Sequence, residues 1–522
     1  MTSNKKEKAK AKVDLKAKNK QKPKVKRYIV ALDQGTTSSR AVLVNRKGKI
    51  CGVAQSPFPQ HFPRPGWVEH DPNEILASQL KVLAEVLVSK GLCADQILGI
   101  GITNQRETTI MWDRETGEPV YNAIVWQCRR TTEIVQRVCG NPDVAQEVTR
   151  RTGLIPDAYY SASKIAWILE NVPGVRQRAE AGELCFGTVD TWLIWNLTQG
   201  RVHATDPTNA SRTMLYNIHE GAWDPWLCQL FDIPQALLPE VRSSSGGFGT
   251  MDHPVFAGEI PICGVAGDQQ AALFAQCCFK PGQAKATFGT GCFLLMHTGT
   301  DAPLSSHGLV TTVAASAPGT PHLEYALEGS VFMAGALIQW LRDGLGVIAT
   351  AAESEELAAS VEDSAGVYIV PAFTGLGAPY WDADARGAVY GLTRGATKAH
   401  LVRAALEAQA YQVGDVLDSM REDSGLEVAS LGVDGGACQN NLMMQMCANI
   451  VSANIVRPEN VETTAMGAAF LAGLAVDFWS GLGELAELRR VDCVFKPGMD
   501  EDERARAIEG WKDCVSRTRS GR

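Results

Sequence analysis

Two glycine–threonine turns stand about half a chain apart, ALDQGTTSSRAVLV from Ala31 and ATFGTGCFLLM from Ala286. Each joins two apolar, strand-like runs through small, hydroxyl-bearing residues. Turns of this build aim backbone N–H groups and threonine hydroxyls at one point, which holds phosphate oxygens without bulky side chains. A β-hairpin also favours Gly and Thr, so one such turn alone says little. Two together point to paired domains closing on the phosphates of one nucleotide. Asp33 ends the first strand, where a carboxylate can hold a hydrated Mg²⁺ or else cap its own turn. Thr36, Thr37 and Arg40 follow with hydroxyl and guanidinium donors for phosphate oxygens. Asp268, after the apolar run PICGVAG, could take the proton of an attacking hydroxyl. It could equally cap the helix-like run behind it, and spacing alone leaves both readings standing. Arg106-Glu107 follows another apolar strand. Such pairs are commonly surface pairs worth little. At a strand's carboxyl end, however, opposite charges can fork hydrogen bonds onto the vicinal hydroxyls of a small polyol. Trp126 and Tyr159 offer aromatic walls for its carbon side, or serve as core. Gly435-Gly436 lets a base or ribose approach the backbone, with Asn440 beside it as a hydrogen-bonding partner.

The elements that must position these residues are legible in outline. YIVALD, SRAVLVN and KICGVAQ read as an antiparallel meander from Tyr28. A helix then starts at Asp71, Pro72 and Glu74, with Leu76, Leu80, Leu83 and Leu87 as its expected apolar stripe and Gly91 as its stop. The strand ILGIGIT runs straight into Asn104-Gln105-Arg106-Glu107. The second half repeats the theme with a hairpin around Gly289–Gly291. A long helix follows His400, with Val402, Leu406, Val413, Leu417 and Met420 at helical spacing. SLGVDGGACQNNLMMQMCANIV reads as strand, glycine turn and helix, with Met443, Cys447 and Ile450 as core filling. Ser243–Gly258, rich in Ser, Gly and Pro, reads as a surface loop. This order is mixed α/β.

A chain of 522 residues needs at least two domains. Its 45% hydrophobic and 21% charged content describes a globular protein, and no run of about 18 apolar residues predicts a membrane-spanning helix. The start lacks the apolar core of a secretory signal. Fourteen scattered cysteines without a C-x-x-C pair, and nine histidines without ligand spacing, argue against a zinc site and for reduced thiols in the cytoplasm. Residues 1–27 hold twelve basic and two acidic side chains, a net of +10; the whole chain carries −8, so the remainder carries −18. This lysine-rich arm cannot bury a core and is expected to be a disordered, solubilising tail. Contact with nucleic acid or an anionic membrane surface is the alternative for it, one the acidic body does not support.

With these residues placed, the chain resembles the FGGY carbohydrate kinase family from about Tyr28 to the late 490s. YYSASKIAWILEN (Tyr159–Asn171) and GAVYGLTRGATKAHLVRAALE (Gly387–Glu407) match its two family-wide patterns. DQGTTSSR, NQRET, VWQCRRT, GDQQAALF, FGTGCF, EGSVFMAGALIQWL and DGGACQNN are more similar to the family's glycerol kinases than to its pentulose or gluconate kinases. The resemblance implies two actin-like, ribonuclease-H-like domains around a nucleotide cleft, residues 28–275 and 276–522. It implies ATP- and Mg²⁺-dependent phosphorylation of glycerol to sn-glycerol 3-phosphate by a homo-oligomer, dimer or tetramer. By motif position, Arg106, Glu107, Trp126, Tyr159, Asp268, Gln269 and Phe293 would bind glycerol. Thr36, Thr37, Ser38, Arg40, Thr290, Gly335, Gln339, Gly436 and Asn440 would line the nucleotide. Asp268 would act as general base, and Asp33 with Asp268 would supply the magnesium-side carboxylates.

Some bacterial members of the family carry a Gly-Thr-Arg-Ile-Pro loop that binds fructose 1,6-bisphosphate. The corresponding stretch here is Ala257-Gly258-Glu259-Ile260-Pro261, with an acid in the arginine's place. A carboxylate repels phosphate. Inhibition by this sugar bisphosphate is therefore predicted to be weak or absent. A steady-state assay at millimolar effector checks this, and undiminished inhibition refutes it.

Overall fold

The structure, a computed structural model, describes residues 27–254, 256 and 258–521. Residues 1–26 of the lysine-rich arm, and Ala257 of the effector loop, lie outside the described residues. The first sheet contains β1 (Tyr28–Gln34), β2 (Ser38–Asn45), β3 (Ile50–Pro57), β4 (Ile97–Asn104), β5 (Thr250–Met251) and β6 (Ile260–Gly267), in the order β5–β6–β4–β1–β2–β3. β1 to β3 form the expected antiparallel meander, and β4 and β6 run parallel to β1 and β4 respectively.

Both faces of this sheet are buried, so β1 is apolar at consecutive positions rather than alternating. Val30 and Leu32 pack under the helix Pro72–Ser89, while Ile29 and Ala31 point to the opposite core. Asp71 caps the helix, accepting the Asn73 N–H at 2.8 Å, and Pro72 takes its first position. Its buried face is Ile75, Val82, Leu83 and Val86; Leu76 and Leu80 sit half-buried on the flank. Of the expected leucine row, Leu83 and Leu87 are buried and Leu76 and Leu80 lie on the edge, because the apolar face is wider than a single row.

The opposite face is covered by the helix Thr463–Ala475, whose Ala468, Leu471 and Ala472 pack with Ile29, Ala31, Val42 and Val44. A division at residue 275 assigns this helix to the second domain, yet by packing it belongs to the first sheet. Its small side chains let backbones touch. A Cβ on Gly101 of β4 would lie 2.1 Å from the Ala468 carbonyl oxygen. One on Gly467 would lie 1.9 Å from the carbonyl oxygen of Ala271, on the helix Asp268–Ala275. Asp268–Ala275 also packs on the second sheet, Leu273 against Leu295 and Ala326, so that crossing ties the two lobes together.

The second sheet contains β7 (Ala284–Phe288), β8 (Cys292–Gly299), β9 (Val310–Val313), β10 (Tyr325–Val331), β11 (Ser430–Asp434), β12 (Asn454–Pro458) and β13 (Val491–Phe495). Their order is β9–β10–β8–β7–β11–β12–β13. Its central five strands repeat the first sheet: β3–β2–β1–β4–β6 corresponds to β10–β8–β7–β11–β12. In each set three strands are antiparallel and two continue in parallel. The helices Lys398–Ser424 and Asn441–Val451 fill one core with Val402, Leu406, Val413, Leu417, Met420, Met443, Cys447 and Ile450. Between β4 and β5 a further layer of helices, including Ser161–Asn171, holds its own apolar core.

Ser243–Gly258 departs from the surface-loop expectation. Ser244, Ser245, Phe248 and Met251 are buried, and Thr250–Met251 forms the edge strand. The serines need no solvent because Ser244 donates to Asp206 at 2.7 Å and Ser245 to the Leu471 carbonyl at 2.6 Å. Gly258 and Glu259 are exposed. No helix among the described residues is long and apolar enough to cross a membrane.

Replacing Gly467 with Val should destabilise the protein by roughly 3 kcal/mol or more, because the added atoms meet backbone that cannot move aside. Gly483→Ala, in a helix with open space around it, should be neutral or stabilise by about 0.5–1 kcal/mol. Denaturant titration of both variants checks the contrast.

Candidate active site

The polar residues singled out in the sequence converge where the two lobes meet. Arg106, just past β4, donates from Nη1 and Nη2 to the two carboxylate oxygens of Glu328 at 2.6 and 2.8 Å. Its Nη1 also reaches Gln270 at 3.1 Å, and its Nε lies 3.2 Å from Asp268 and 3.7 Å from Glu107. Arg212 donates from Nε to Glu107 at 2.7 Å and from Nη2 to Glu328 at 3.3 Å. All four of Arg106, Glu107, Arg212 and Glu328 are buried. Burial works to raise the Glu328 carboxyl, but the charges of Arg106 and Arg212 hold it down to about 2. Burial dominates at Glu107 and pushes its carboxyl up despite the same two arginines. Glu107 also takes a left-handed φ of +60°, a conformation that costs energy for a side-chain-bearing residue and clusters at functional sites. Hydroxyls of Ser161 and Thr109 hold its carbonyl, at 3.1 and 3.2 Å.

Aromatic rings lie beside this cluster, the Arg212 guanidinium 5.9 Å from the centroid of the Tyr159 ring. Trp126 and Tyr159 meet edge to face with centroids 5.4 Å apart. Burial, reinforced by Glu107, holds the Tyr159 phenol well above its ordinary value, so it stays a hydrogen-bond donor. Asp268 is the first residue of its helix rather than the cap, which is Gly267. Its side chain is 32% exposed, open to the cleft, and held by Arg106 and by the Gln269 N–H at 2.8 Å. Gln269 and Phe293 are drawn together by Lys285, whose Nζ donates to the Gln269 side-chain oxygen and, at 3.3 Å, to the Phe293 carbonyl.

The two glycine–threonine turns expected to hold the nucleotide are both closed hairpins. Gly35 N–H closes the first on the Ser38 carbonyl at 3.0 Å; Thr37 is exposed, and the Trp126 indole donates to the Thr36 hydroxyl at 3.0 Å. The second turn closes from Gly289 N–H to the Gly291 carbonyl at 2.9 Å, leaving Thr290 exposed. The helix Gly335–Gln339 starts on that turn: Gly335 N–H bonds the Gly289 carbonyl at 3.0 Å, and Gln339 is exposed. Gly435, packed against the Phe288 carbonyl, places Gly436 beside the same turn with open space above it. Three expected contacts are already engaged. Arg40 pairs with Glu462 and donates to Gln55 at 3.1 Å; Ser38 accepts from Gln55 at 2.9 Å. Asn440 caps the helix Asn441–Val451 by accepting the Met443 N–H at 2.9 Å, leaving its amide nitrogen 3.4 Å from Ser354.

Asp33 receives no hydrogen bond among the described residues. Burial pushes its carboxyl up to about 6, with Arg40 pulling it down and Asp268 adding to the rise. Its neighbour on β4, Thr103, has a buried hydroxyl without a partner among the described residues. The duplicated position differs. Thr287 replaces Asp33 on β7, and its partner Asp434 on β11 is consumed by Thr287 at 2.6 Å and Gln276 at 2.8 Å. The open oxygens of Asp33 therefore fit a hard, hydrated cation such as Mg²⁺, and those of Asp434 do not. Among the described residues no three His, Cys, Asp or Glu side chains converge as a metal site.

The sequence profile of the FGGY carbohydrate kinases matches the chain in two parts, its N-terminal domain over residues 28–275 and its C-terminal domain over 284–476. The chain belongs to the FGGY family of carbohydrate kinases. Among its FGGY relatives, glycerol kinases of Shewanella sp. strain ANA-3 and Carboxydothermus hydrogenoformans are each 57% identical over 495 residues. These alignments cover 95% of this chain and 100% and 98% of the relatives. A crystal structure of Plasmodium falciparum glycerol kinase with ADP superposes with a TM-score of 0.90 at 38% identity, covering 94% of this chain and 98% of that one. An FGGY xylulose kinase from Lactobacillus acidophilus, 22% identical, shares the fold with a TM-score of 0.84, over the same shares of the two chains.

Glu328, Arg212, Lys285 and Asp434 escaped the sequence reading. For Glu328, Lys285 and Asp434 one signal existed: a charged residue inside a strand buried on both faces, as in YALEGSV and AKATF, must be paired with another. Arg212 lies in a turn and carried no such signal. Asp33 supplies the prediction of this section. A native carboxyl held near 6 keeps a proton that the unfolded chain releases near 4. Stability thus falls as pH rises between those values and stays lowered above them. Asp33→Asn removes that penalty. Without metal or nucleotide, its melting temperature should exceed the wild type's by roughly 1–3 °C above pH 6, with no difference below pH 4. Thermal scans across this range check it.

Proposed function

We propose that this chain transfers the γ-phosphoryl group of ATP to glycerol, giving sn-glycerol 3-phosphate and ADP. The full-length 57% identity to glycerol kinases carries the reading. The polar and aromatic groups of the site support it, because together they suit three vicinal hydroxyls on a short carbon chain. Arg106 and the Tyr159 hydroxyl offer donors, Glu107 offers an acceptor, and Trp126 and Phe293 face the carbons. Asp268, fixed by Arg106 at 3.2 Å, orients the terminal hydroxyl and takes its proton as the oxygen attacks phosphorus in line. Thr36, Thr37 and Thr290 hold the phosphate oxygens from opposite lobes, and Gly335, Gln339, Gly436 and Asn440 line the nucleoside side. Ser38 and Arg40 reach phosphate by sharing their contacts with Gln55 and Glu462. Asp33 and Asp268 would hold a hydrated Mg²⁺, which when bound neutralises charge on the transferred group. Closure of lobes 28–275 and 276–522, with the helix Thr463–Ala475 returned to the first, excludes water that would otherwise hydrolyse ATP. A homo-oligomeric state rests on the family resemblance, and a cytoplasmic location on the scattered, unpaired cysteines.

An ADP-release assay across glycerol, dihydroxyacetone, xylulose and gluconate should give glycerol the highest kcat/KM. Preference for a ketose or an aldonate overturns the substrate, and glycerol-independent ATPase activity with polymerisation overturns the reaction. Asp268→Asn should lower turnover by roughly 10²–10⁴ while nucleotide affinity stays nearly unchanged. Wild-type turnover in that variant would defeat the assignment.

A further inference from the structure

Lys285 is fully buried near the middle of the second lobe's sheet, on β7. Its ammonium has three donors, and three acceptors meet them: the Gln269 side-chain oxygen, the Thr287 hydroxyl at 2.8 Å and the Phe293 carbonyl at 3.3 Å. Thr287 passes the contact on, donating to Asp434 at 2.6 Å. Asp434 is the last residue before Gly435-Gly436. One side chain therefore touches both sides of the cleft floor: the helix that begins at Asp268, and the strands that lead into the Gly289–Gly291 and Gly435-Gly436 turns. Burial pulls the ammonium's pKa down, and the charges of Asp434, Asp268 and Glu328 oppose that pull.

We propose that Lys285 is a positioning residue for the polyol. By fixing the Gln269 oxygen on its own side, it turns the Gln269 amide N–H₂ toward the pocket as a donor to a substrate oxygen. It also anchors the Phe293 backbone, so the apolar wall and this donor keep one spacing. The chain Lys285–Thr287–Asp434 locks that wall to the strand pair carrying the nucleotide turns. This inference rests on the glycerol reading of the pocket.

The test compares Lys285→Met, Gln269→Leu and the double variant by steady-state kinetics with glycerol, alongside titration with a fluorescent ADP analogue. Loss of a charged hydrogen bond to the wall should raise the glycerol KM about ten- to a hundred-fold in Lys285→Met. kcat should fall by less, and ADP affinity should change by no more than about three-fold. The double variant should lose clearly less than the two single effects combined, because the lysine acts in part through that amide; full additivity overturns the coupling. A purely structural role would lower the active fraction and leave KM in place. If Lys285→Met does not fold, Thr287→Val, which keeps the lysine and removes one of its anchors, should raise the glycerol KM at least three-fold; an unchanged value overturns the proposal. A raised KM in Gln269→Leu with wild-type KM in Lys285→Met overturns the role of Lys285 alone. An unchanged KM in Gln269→Leu removes the glycerol reading of this wall, and the proposal with it.

Discussion

Burying an unpaired charge costs several kcal/mol, and this molecule buries four together. Arg106 and Glu107 come from the end of a first-lobe strand, Arg212 from the layer inserted after it, and Glu328 from a strand of the second sheet. None of the four has solvent to fall back on, so each lobe supplies the counter-charge that the other needs. The β9–β10 side of the second sheet is thereby pinned against the first lobe. That anchoring gives Asp268 a fixed partner in Arg106, and the left-handed backbone at Glu107 is sustained by the same set of contacts. The two acids of the cluster are driven apart: two guanidinium groups hold the Glu328 carboxyl down, while burial pushes that of Glu107 up.

The two sheets are copies in topology and not in chemistry. Carboxylate and threonine change places between them, Asp33 beside Thr103 in one and Thr287 beside Asp434 in the other. In the second lobe the threonine hydroxyl satisfies the carboxylate, and a buried lysine adds a positive charge. In the first lobe the pair stays unsatisfied, at a cost in stability that burial of Asp33 makes visible. Of these two carboxylates one is left open and the other closed, an asymmetry that fits the single hydrated cation proposed at Asp33.

Most of the elements were legible because their signals are local. Pro72 after Asp71, the glycine turns and the apolar strands each state their structure within a few residues. The candidate site was legible to the extent that its charged side chains sit at strand ends, as Asp33, Arg106 and Asp268 do. What stayed hidden depends on contacts between distant segments. Glu328 lies 222 positions from Arg106 in the chain, and nothing near it in sequence announces the pairing. Arg40, Ser38 and Asn440 were read as free donors and acceptors, whereas Glu462, Gln55 and the Met443 N–H already occupy them. The Ser243–Gly258 segment misled because small polar residues suit a solvated loop and a tightly packed one equally well; burial turned on a partner, Leu471, from the far end of the chain.

The helix Thr463–Ala475 has a bearing on how the protein is made. It closes one face of a sheet whose first strand begins at Tyr28, so more than four hundred residues leave the ribosome before that face is covered. During synthesis the earlier lobe must wait with Ile29, Ala31, Val42 and Val44 open to water, a state that invites chaperone binding or aggregation. Any shortening of the polypeptide before residue 475 would strip the lid from the lobe made first and leave its sheet without a second layer.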